Sequence, residues 1–175
     1  MNIQLGQMLS ELAQANLLDE EFYLIDSQPI PMCNPILDWR VLLLRDEGAH
    51  FGKGSKGWFF GFKLHLLVSA KGLIVCAVLT PANWDDRDVA AALCQAVAEG
   101  SFCLGDRGYR RPALQEELFE DVAVLLFTRS DAGQSHQALL CSVRQRVETV
   151  FSQLWERLPL EFILVRGWGC GTLCC

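Results

Sequence analysis

The sequence predicts an α/β fold in which a central mixed sheet is covered by helices. Its apolar patterns follow the order strand, β-hairpin, helix, strand, helix, strand and long helix, which is typical of layered α/β proteins. The chain has 175 residues, 51% of them hydrophobic, and is therefore long enough to bury a substantial core. We expect one main domain.

The first half of the predicted fold is rich in strands. Residues 10–21 have the spacing of an amphipathic helix, and residues 22–26 (FYLID) predict a strand. Three prolines within residues 27–39 predict an irregular connection. Residues 58–69 and 72–80 are rich in aromatic and β-branched side chains, so they predict a β-hairpin.

The second half alternates helices and strands. Asn83, Asp85 and Asp86 are helix-starting side chains before the apolar residues 89–100, which predict a helix that stops at Gly100. The acids of WDDRD lack the arrangement of an EF-hand loop, which favours helix capping over calcium binding. The patterns then predict a strand at residues 101–105, a helix at 110–120, a strand at 121–127 and a long helix at about 137–158.

Membrane insertion and disulfide bonding are not expected. The longest apolar stretches, residues 72–79 and 122–127, are far shorter than the roughly 20 residues that cross a bilayer, and the N-terminus has no secretory signal. We therefore expect a cytoplasmic protein. Among the eight cysteines, five stand singly in apolar surroundings and predict buried thiols rather than a zinc site: Cys33, Cys76, Cys94, Cys103 and Cys141.

The net charge of −6 argues at first against a nucleic-acid partner, but the acidity is local. Residues 1–50 hold two basic and eight acidic side chains, whereas residues 51–175 hold 13 of each. Arginines cluster near two acids: Arg107, Arg110 and Arg111 follow Asp106, and Arg144 and Arg146 lie close to Glu148. Such clusters fit either solvated surface or phosphate binding.

Three carboxylates from distant parts of the chain can meet in this fold. Asp26 and Asp106 each stand at the C-terminal end of a predicted strand, where ligands gather in α/β sheets, and Glu148 lies on the long helix. Converging carboxylates repel one another unless they share protons or bind a cation, and oxygen ligands favour Mg²⁺ or Mn²⁺. Two such ions can activate a nucleophile and stabilise the leaving oxygen of a phosphodiester.

Each acid also has a purely structural explanation. Asp26 can form a turn before Ser27, Asp106 can cap the following helix, and Glu148 can pair with Arg144 on the surface. Local sequence does not decide between these explanations and a shared cation site.

Five stretches, in this order, resemble the catalytic domain of bacterial insertion-sequence DDE transposases: YLIDSQPIPMC, GWFFGFKLHLLVSAKG, TPANWDDRD, CLGDRGY and RQRVETVFSQL. The resemblance covers roughly residues 20–166 and implies an RNase H-like mixed sheet flanked by helices. It implies Asp26, Asp106 and Glu148 as the catalytic acids, which together hold two Mg²⁺ or Mn²⁺ ions. The implied reaction is cleavage at transposon ends followed by strand transfer into target DNA.

The resemblance also implies double-stranded DNA as the partner, both transposon ends and target, and a homodimer of the full-length protein. Eight residues are candidate DNA contacts: Lys53, Lys56, Lys63, His65, Arg107, Arg110, Arg111 and Arg144. Residues 52–57 (GKGSKG) precede a predicted strand and favour a flexible basic turn over a dinucleotide site. Lys63 and His65 match a Gly-x-Lys-x-His run of the family, which suggests either support of DNA or metal, or a partly exposed sheet face.

The sequence departs from the family in three places. Part of the family has a Tyr-x-x-Arg-x-x-x-Glu-x-x-x-x-x-x-Lys signature; Arg144 and Glu148 fit it, but Cys141 replaces the tyrosine and Trp155 the lysine. Those contacts to transposon-end DNA are therefore not carried over. Residues 1–20 suggest the remnant helix of a preceding region, residues 21–166 the catalytic domain, and residues 167–175 an irregular tail that a frameshift would explain.

Three functions are consistent with this sequence. The first is a transposase of bacterial origin, located in the nucleoid-associated cytoplasm and represented by a fragment. The second is an RNase H-like nuclease that cuts without joining. The third is a catalytically inactive remnant that acts as a DNA- or protein-interaction module.

Overall fold

The structure is a computed structural model that describes residues 22–33, 48–128 and 137–157. Along the chain it contains β1 (Phe22–Cys33), β2 (His50–Gly54), β3 (Gly57–Ser69), β4 (Ile74–Pro81), α1 (Asp86–Cys94), β5 (Phe102–Gly105), a short 3₁₀ helix (Arg107–Tyr109), α2 (Pro112–Val122), β6 (Leu125–Thr128) and α3 (Gln137–Arg157). None of the described helices is long and apolar enough to cross a membrane.

The described strands form a six-stranded mixed sheet. Its order is β2-β3-β1-β5-β6, and β4 pairs with β3 as well. β1, β5 and β6 pair in parallel, whereas β2 and β3 pair antiparallel. With helices flanking this curled sheet, the predicted α/β class is confirmed, and the arrangement is compatible with an RNase H-like fold.

The chain divides into two compact units. In its described part, the first unit contains the start of β1 to Ser27, His65–Val78 and Asp85–Val150. All four residues of β5 are buried, as expected for a parallel strand covered on both faces. The core of this unit joins the sheet to α1 and α2 and contains Ile25, Leu67, Val89, Ala90, Leu93, Cys94, Cys103, Tyr109, Leu114, Leu118, Val124 and Leu126.

The second unit contains, among the described residues, the rest of β1, the β2–β3 hairpin, Leu79–Trp84 and the end of α3. Its core contains Ile30, Met32, Ala49, Phe60 and Phe62, with Leu64 and Trp155 packed against it. Gly61 allows β3 to approach β1 closely, because a Cβ at this position would lie 2.2 Å from the carbonyl oxygen of Ile30. Its φ of +151° also disfavours any other residue.

The predicted irregular stretch after residue 26 is wrong up to Cys33, because β1 continues through Pro29 and Pro31. Alternate residues of a strand direct their backbone groups to opposite edges. Ile30 and Met32 lie beside Gly61 of β3, so the two prolines face the other edge, and pairing with β5 has already ended there at Ile25. The missing N–H groups therefore remove no ladder hydrogen bond.

Three further boundaries differ from the sequence prediction. Residues 50–54 form a strand, so the basic turn shrinks to Ser55 and Lys56 between the paired Gly54 and Gly57. Helix α1 ends at Cys94 rather than Gly100, and of residues 95–100 only Val97 is half-buried against the core while the others are exposed. Residues 121–122 complete α2, and β6 starts only at Leu125.

The other predicted elements are confirmed. The hairpin of residues 58–69 and 72–80 forms from β3 and β4, and its turn is closed by the Ser69 N–H donating to the Leu73 carbonyl at 2.9 Å. The long C-terminal helix forms as α3. The helix expected at residues 10–21 and the tail at 167–175 lie outside the described residues.

Candidate active site

Two of the predicted acids lie where the pairing of two neighbouring parallel strands ends. In the register of β1 and β5, Ile25 is opposite Gly105, so Asp26 and Asp106 each follow the last paired residue. Adjacent strands lie about 4.8 Å apart, which brings both half-buried aspartates to one edge of the first unit. The expected strand end is confirmed for Asp106, which directly follows β5, but it is wrong for Asp26, because β1 continues to Cys33.

Ser27 connects Asp26 to the start of α1. The Ser27 N–H donates to Oδ1 of Asp26 at 2.9 Å, and its hydroxyl donates to Oδ2 of Asp86 at 2.9 Å. Asp86 is the first residue of α1, and Asp85 caps the helix by accepting the Arg87 N–H at 3.0 Å. The predicted capping role is confirmed for Asp85, whereas Asp86 has a second role that its sequence position did not indicate.

Tyr109 lies beneath this group of carboxylates. Its side chain is 1% exposed, and the short 3₁₀ helix places it there through the Tyr109 N–H donating to the Asp106 carbonyl at 3.0 Å. Gly105 accommodates the ring, because a Cβ there would lie 3.0 Å from the Tyr109 Cδ2 atom. The ring therefore packs directly under the strand end that carries Asp106.

Burial and nearby acids act on the phenol of Tyr109. Burial raises the pKa of Tyr109 well above its usual value, and the negative charges of Asp86, Asp26 and Asp106 raise it further. Ser27 lies close enough to lower the pKa of Tyr109 in part, although its hydroxyl donates to Asp86. Among the described residues, no group forms a hydrogen bond of normal geometry with the buried Tyr109 oxygen. Three aspartates thus act on one neutral phenol.

Asp86 and Tyr109 were missed as site residues by sequence reasoning. Ser27 and Asp86 are 59 residues apart, and no local pattern signals that contact. The available signals were weak: an acid beyond the cap residue in WDDRD, and an aromatic residue three positions after Asp106.

Glu148 lies on an exposed position of α3. Its charge is not among those that act on Tyr109. Within the residues that the structure describes, no group of three or more His, Cys, Asp or Glu side chains is arranged to hold a metal ion. The shared site of Asp26, Asp106 and Glu148 stays a prediction.

The candidate DNA contacts occupy different environments. Lys53, Lys56 and Arg110 are exposed, and Arg111 is exposed while it donates to Asp88 at 3.4 Å. Lys63 is half-buried and donates from Nζ to the Trp84 carbonyl at 2.7 Å. Arg107 and Arg144 lie on the 3₁₀ helix and on α3, but their side chains are outside the described part of the structure.

His65 does not lie on a partly exposed sheet face. Its side chain is 0% exposed within β3. In the structure residues 65–68 of β3 are all buried. Direct contact of the His65 imidazole with DNA is therefore excluded in this conformation.

The described cysteines are buried or half-buried thiols, as predicted. Cys94 and Cys103 are both buried, with their Sγ atoms 3.8 Å apart, and Cys76 is half-buried. The interaction with Cys94, together with burial, raises the pKa of Cys103 well above its usual range. The side chains of Cys33 and Cys141 lie outside the described set.

Comparison with known proteins shows the class to which this arrangement belongs. The family model described as "Transposase DDE domain" matches residues 18–166. The chain therefore belongs to this family of transposase DDE domains.

Individual relatives are more distant. A search of curated proteins found no match. A search of solved structures found the cryo-EM structure of the piggyBac transposase synaptic complex with hairpin DNA, at 11% sequence identity and a TM-score of 0.41. The match covers 72% of this chain and 28% of that one, so the chain spans less than a third of that transposase.

Proposed function

We propose that this domain catalyses metal-dependent cleavage of DNA at transposon ends and transfer of the freed 3′-hydroxyl to target DNA. The observation that carries the proposal is the placement of Asp26 and Asp106, each directly after the last paired residue of two adjacent parallel strands. Membership of the transposase DDE-domain family supports it. Double-stranded DNA is the proposed partner, with a homodimer to process two ends and a bacterial, nucleoid-associated location.

The proposed cofactors are two Mg²⁺ or Mn²⁺ ions. The donor set fits hard divalent cations, since Asp26, Asp106 and Glu148 offer only carboxylate oxygens. Bound at these acids, such ions would supply charge stabilisation for the attacking and leaving oxygens. Asp26 and Asp106 would hold the cations, and Glu148 would complete the ligand set from α3.

The remaining residues of the site organise these acids. The Ser27 N–H fixes one oxygen of Asp26, while the Ser27 hydroxyl ties β1 to Asp86. The buried Tyr109 ring packs against Gly105, the residue before Asp106. The Ser27 contacts orient Asp26 and Asp86 before substrate arrives, which favours precise positioning of a phosphodiester.

The test is Mn²⁺-dependent nicking of DNA by the purified chain and by Asp106→Asn. We expect the substitution to reduce nicking by at least about 100-fold, because it removes a charged ligand from the reacting centre. Asp88→Asn is the matched control, since Asp88 is an exposed acid that pairs with Arg111. Equal nicking by wild type and Asp106→Asn would contradict the proposal.

A strand-transfer assay separates the transposase from a nuclease that cuts without joining. Pre-cleaved ends with a free 3′-hydroxyl are incubated with target DNA, and joined products are expected only from the transposase. The replacement of the family's tyrosine and lysine by Cys141 and Trp155 favours the other candidate, a catalytically inactive module that retains DNA or protein binding. DNA binding without nicking in Mg²⁺ or Mn²⁺ would favour that candidate.

A further inference from the structure

The β2–β3 hairpin carries an exposed tryptophan close to two exposed lysines. Trp58 is 64% exposed near the start of β3. Lys53 is its direct partner in the antiparallel register, and Lys56 stands in the two-residue turn that joins the strands. Lys53, Lys56 and Trp58 are called the hairpin tip below.

The strand geometry places Lys53 and Trp58 on one face. Side chains of directly paired residues in an antiparallel ladder point to the same side of the sheet, with Cβ atoms about 5 Å apart. Phe51 is two residues before Lys53 and shares this face; its ring packs edge-to-face against Phe60, with centroids 5.0 Å apart. An aromatic surface therefore continues from the buried Phe60 outward to the tip.

The charge around the tip favours an anionic ligand. Residues 48–63 contain Lys53, Lys56 and Lys63 but no Asp or Glu, although the whole chain has a net charge of −6. Phe119 offers a contrast, because it is 56% exposed on α2 in a segment that contains Glu116, Glu117, Glu120 and Asp121. Of these two exposed aromatic side chains, only Trp58 stands among cations.

We propose that the hairpin tip binds unpaired DNA, with a base stacked on Trp58 and the flanking phosphates held by Lys53 and Lys56. The assignment rests on the proposed function in taking DNA as the partner, and it adds the form of DNA that is recognised. A single strand offers the open face of a base to a tryptophan, whereas an intact duplex hides its base faces by stacking. Lys53 opposite Trp58 and Lys56 in the turn offer cations to the anionic backbone that continues beyond such a base.

The test measures DNA binding by the full chain in EDTA, so that no cleavage occurs. Fluorescence anisotropy compares a labelled duplex that has a single-stranded 3′ overhang with a blunt duplex of equal length. We expect wild type to prefer the overhang, and Trp58→Ala to bind the overhang about 10-fold more weakly with unchanged binding to the blunt duplex. Trp58→Phe should retain most of the preference, since a phenyl ring still stacks.

Phe119→Ala is the matched control, since it also truncates an exposed aromatic side chain. It should leave both affinities unchanged, and urea denaturation confirms that each variant is folded. Lys53→Gln with Lys56→Gln should lower the slope of log K against log salt by about 1.4 in magnitude for the overhang, because each phosphate that a lysine no longer neutralises accounts for about 0.7.

Three results would overturn this assignment: no preference of wild type for the overhang, no weakening in Trp58→Ala, or equal weakening in Phe119→Ala. Displacement of the overhang by polyglutamate at the same charge concentration would point instead to an acidic protein partner and would also overturn it. The proposed catalytic function is tested separately. If Mn²⁺-dependent nicking is absent while the overhang preference persists, only the catalytic function is contradicted. Nicking without overhang preference leaves that function standing and removes the hairpin assignment alone.

Discussion

The hydrogen bond from Ser27 to Asp86 should contribute measurably to stability, because it joins two half-buried groups that are distant in sequence. The donor and acceptor oxygens are 2.9 Å apart. A hydrogen bond to a charged group contributes about 1.5–3 kcal/mol, and partial exposure to solvent places this one near the lower end. We therefore expect a coupling free energy of about 1–2 kcal/mol between the two side chains.

A double-mutant cycle isolates this contribution. Urea unfolding at pH 7 compares wild type, Ser27→Ala, Asp86→Ala and the double variant. Asp86→Ala also removes a negative charge from the first turn of α1, and the cycle subtracts that separate effect. Ser27→Ala leaves the backbone N–H that donates to Asp26 in place, so the measured coupling belongs to the hydroxyl contact.

The control cycle pairs Ser27→Ala with Asp88→Ala. Asp88 lies in the first turn of the same helix but is exposed and pairs with Arg111. Its coupling to Ser27 should be zero within about 0.5 kcal/mol. If the Ser27–Asp86 coupling is no larger than this control, the contact does not hold the strand end to α1 and the reasoning is refuted.

Three other substitutions test the structure. Gly61→Ala should lower the free energy of unfolding by at least about 2 kcal/mol in urea, because the new Cβ meets the Ile30 carbonyl. Gly57→Ala should lower it clearly less, because a Cβ there meets open space and only the φ of +117° is unfavourable. Equal losses of stability in the two variants would contradict this packing. Asp85→Ala should lower the free energy of unfolding by about 1 kcal/mol through loss of the helix cap, whereas Asp85→Asn should retain most of the stability that the cap provides. Identical losses of stability in the two variants would count against capping. Burial raises the pKa of Tyr109, so above about pH 10 the folded state keeps a proton that the unfolded chain loses. Because of Tyr109, the free energy of unfolding should therefore fall by up to about 1.4 kcal/mol per pH unit as the pH rises. Tyr109→Phe should make this fall shallower. If chemical denaturation gives the same dependence on pH for both proteins, the raised pKa of Tyr109 is contradicted.

Much of the fold was predictable because its signals are local. The aromatic and β-branched pattern around β3 and β4 gives a hairpin, and the apolar repeat in α3 gives a helix, whatever surrounds them. The extension of β1 through Pro29 and Pro31 was not predictable in this way. Whether a proline breaks a strand depends on which edge its nitrogen faces, and only the paired sheet defines that edge.

The candidate site was predictable only in part. Asp26 and Asp106 were found because each follows a short apolar run, although β5 ends before Asp106 whereas β1 continues past Asp26. Asp86 and Tyr109 joined them through contacts that depend on how α1 and the 3₁₀ helix pack against the sheet. Likewise, the alternation in β3 suggested similar settings for Lys63 and His65, but packing buried His65 completely.

The amino-acid sequence alone determined the α/β class, the strand end that precedes Asp106 and the family that residues 18–166 match. Tertiary structure alone decided that Ser27 binds Asp86, that Tyr109 lies beneath three aspartates, and that Trp58 is exposed beside Lys53. The physical reason is one of range. Hydrophobic periodicity and turn chemistry act over a few residues, whereas the neighbours of a side chain across 59 residues are set by sheet register and by the way helices bury their apolar faces.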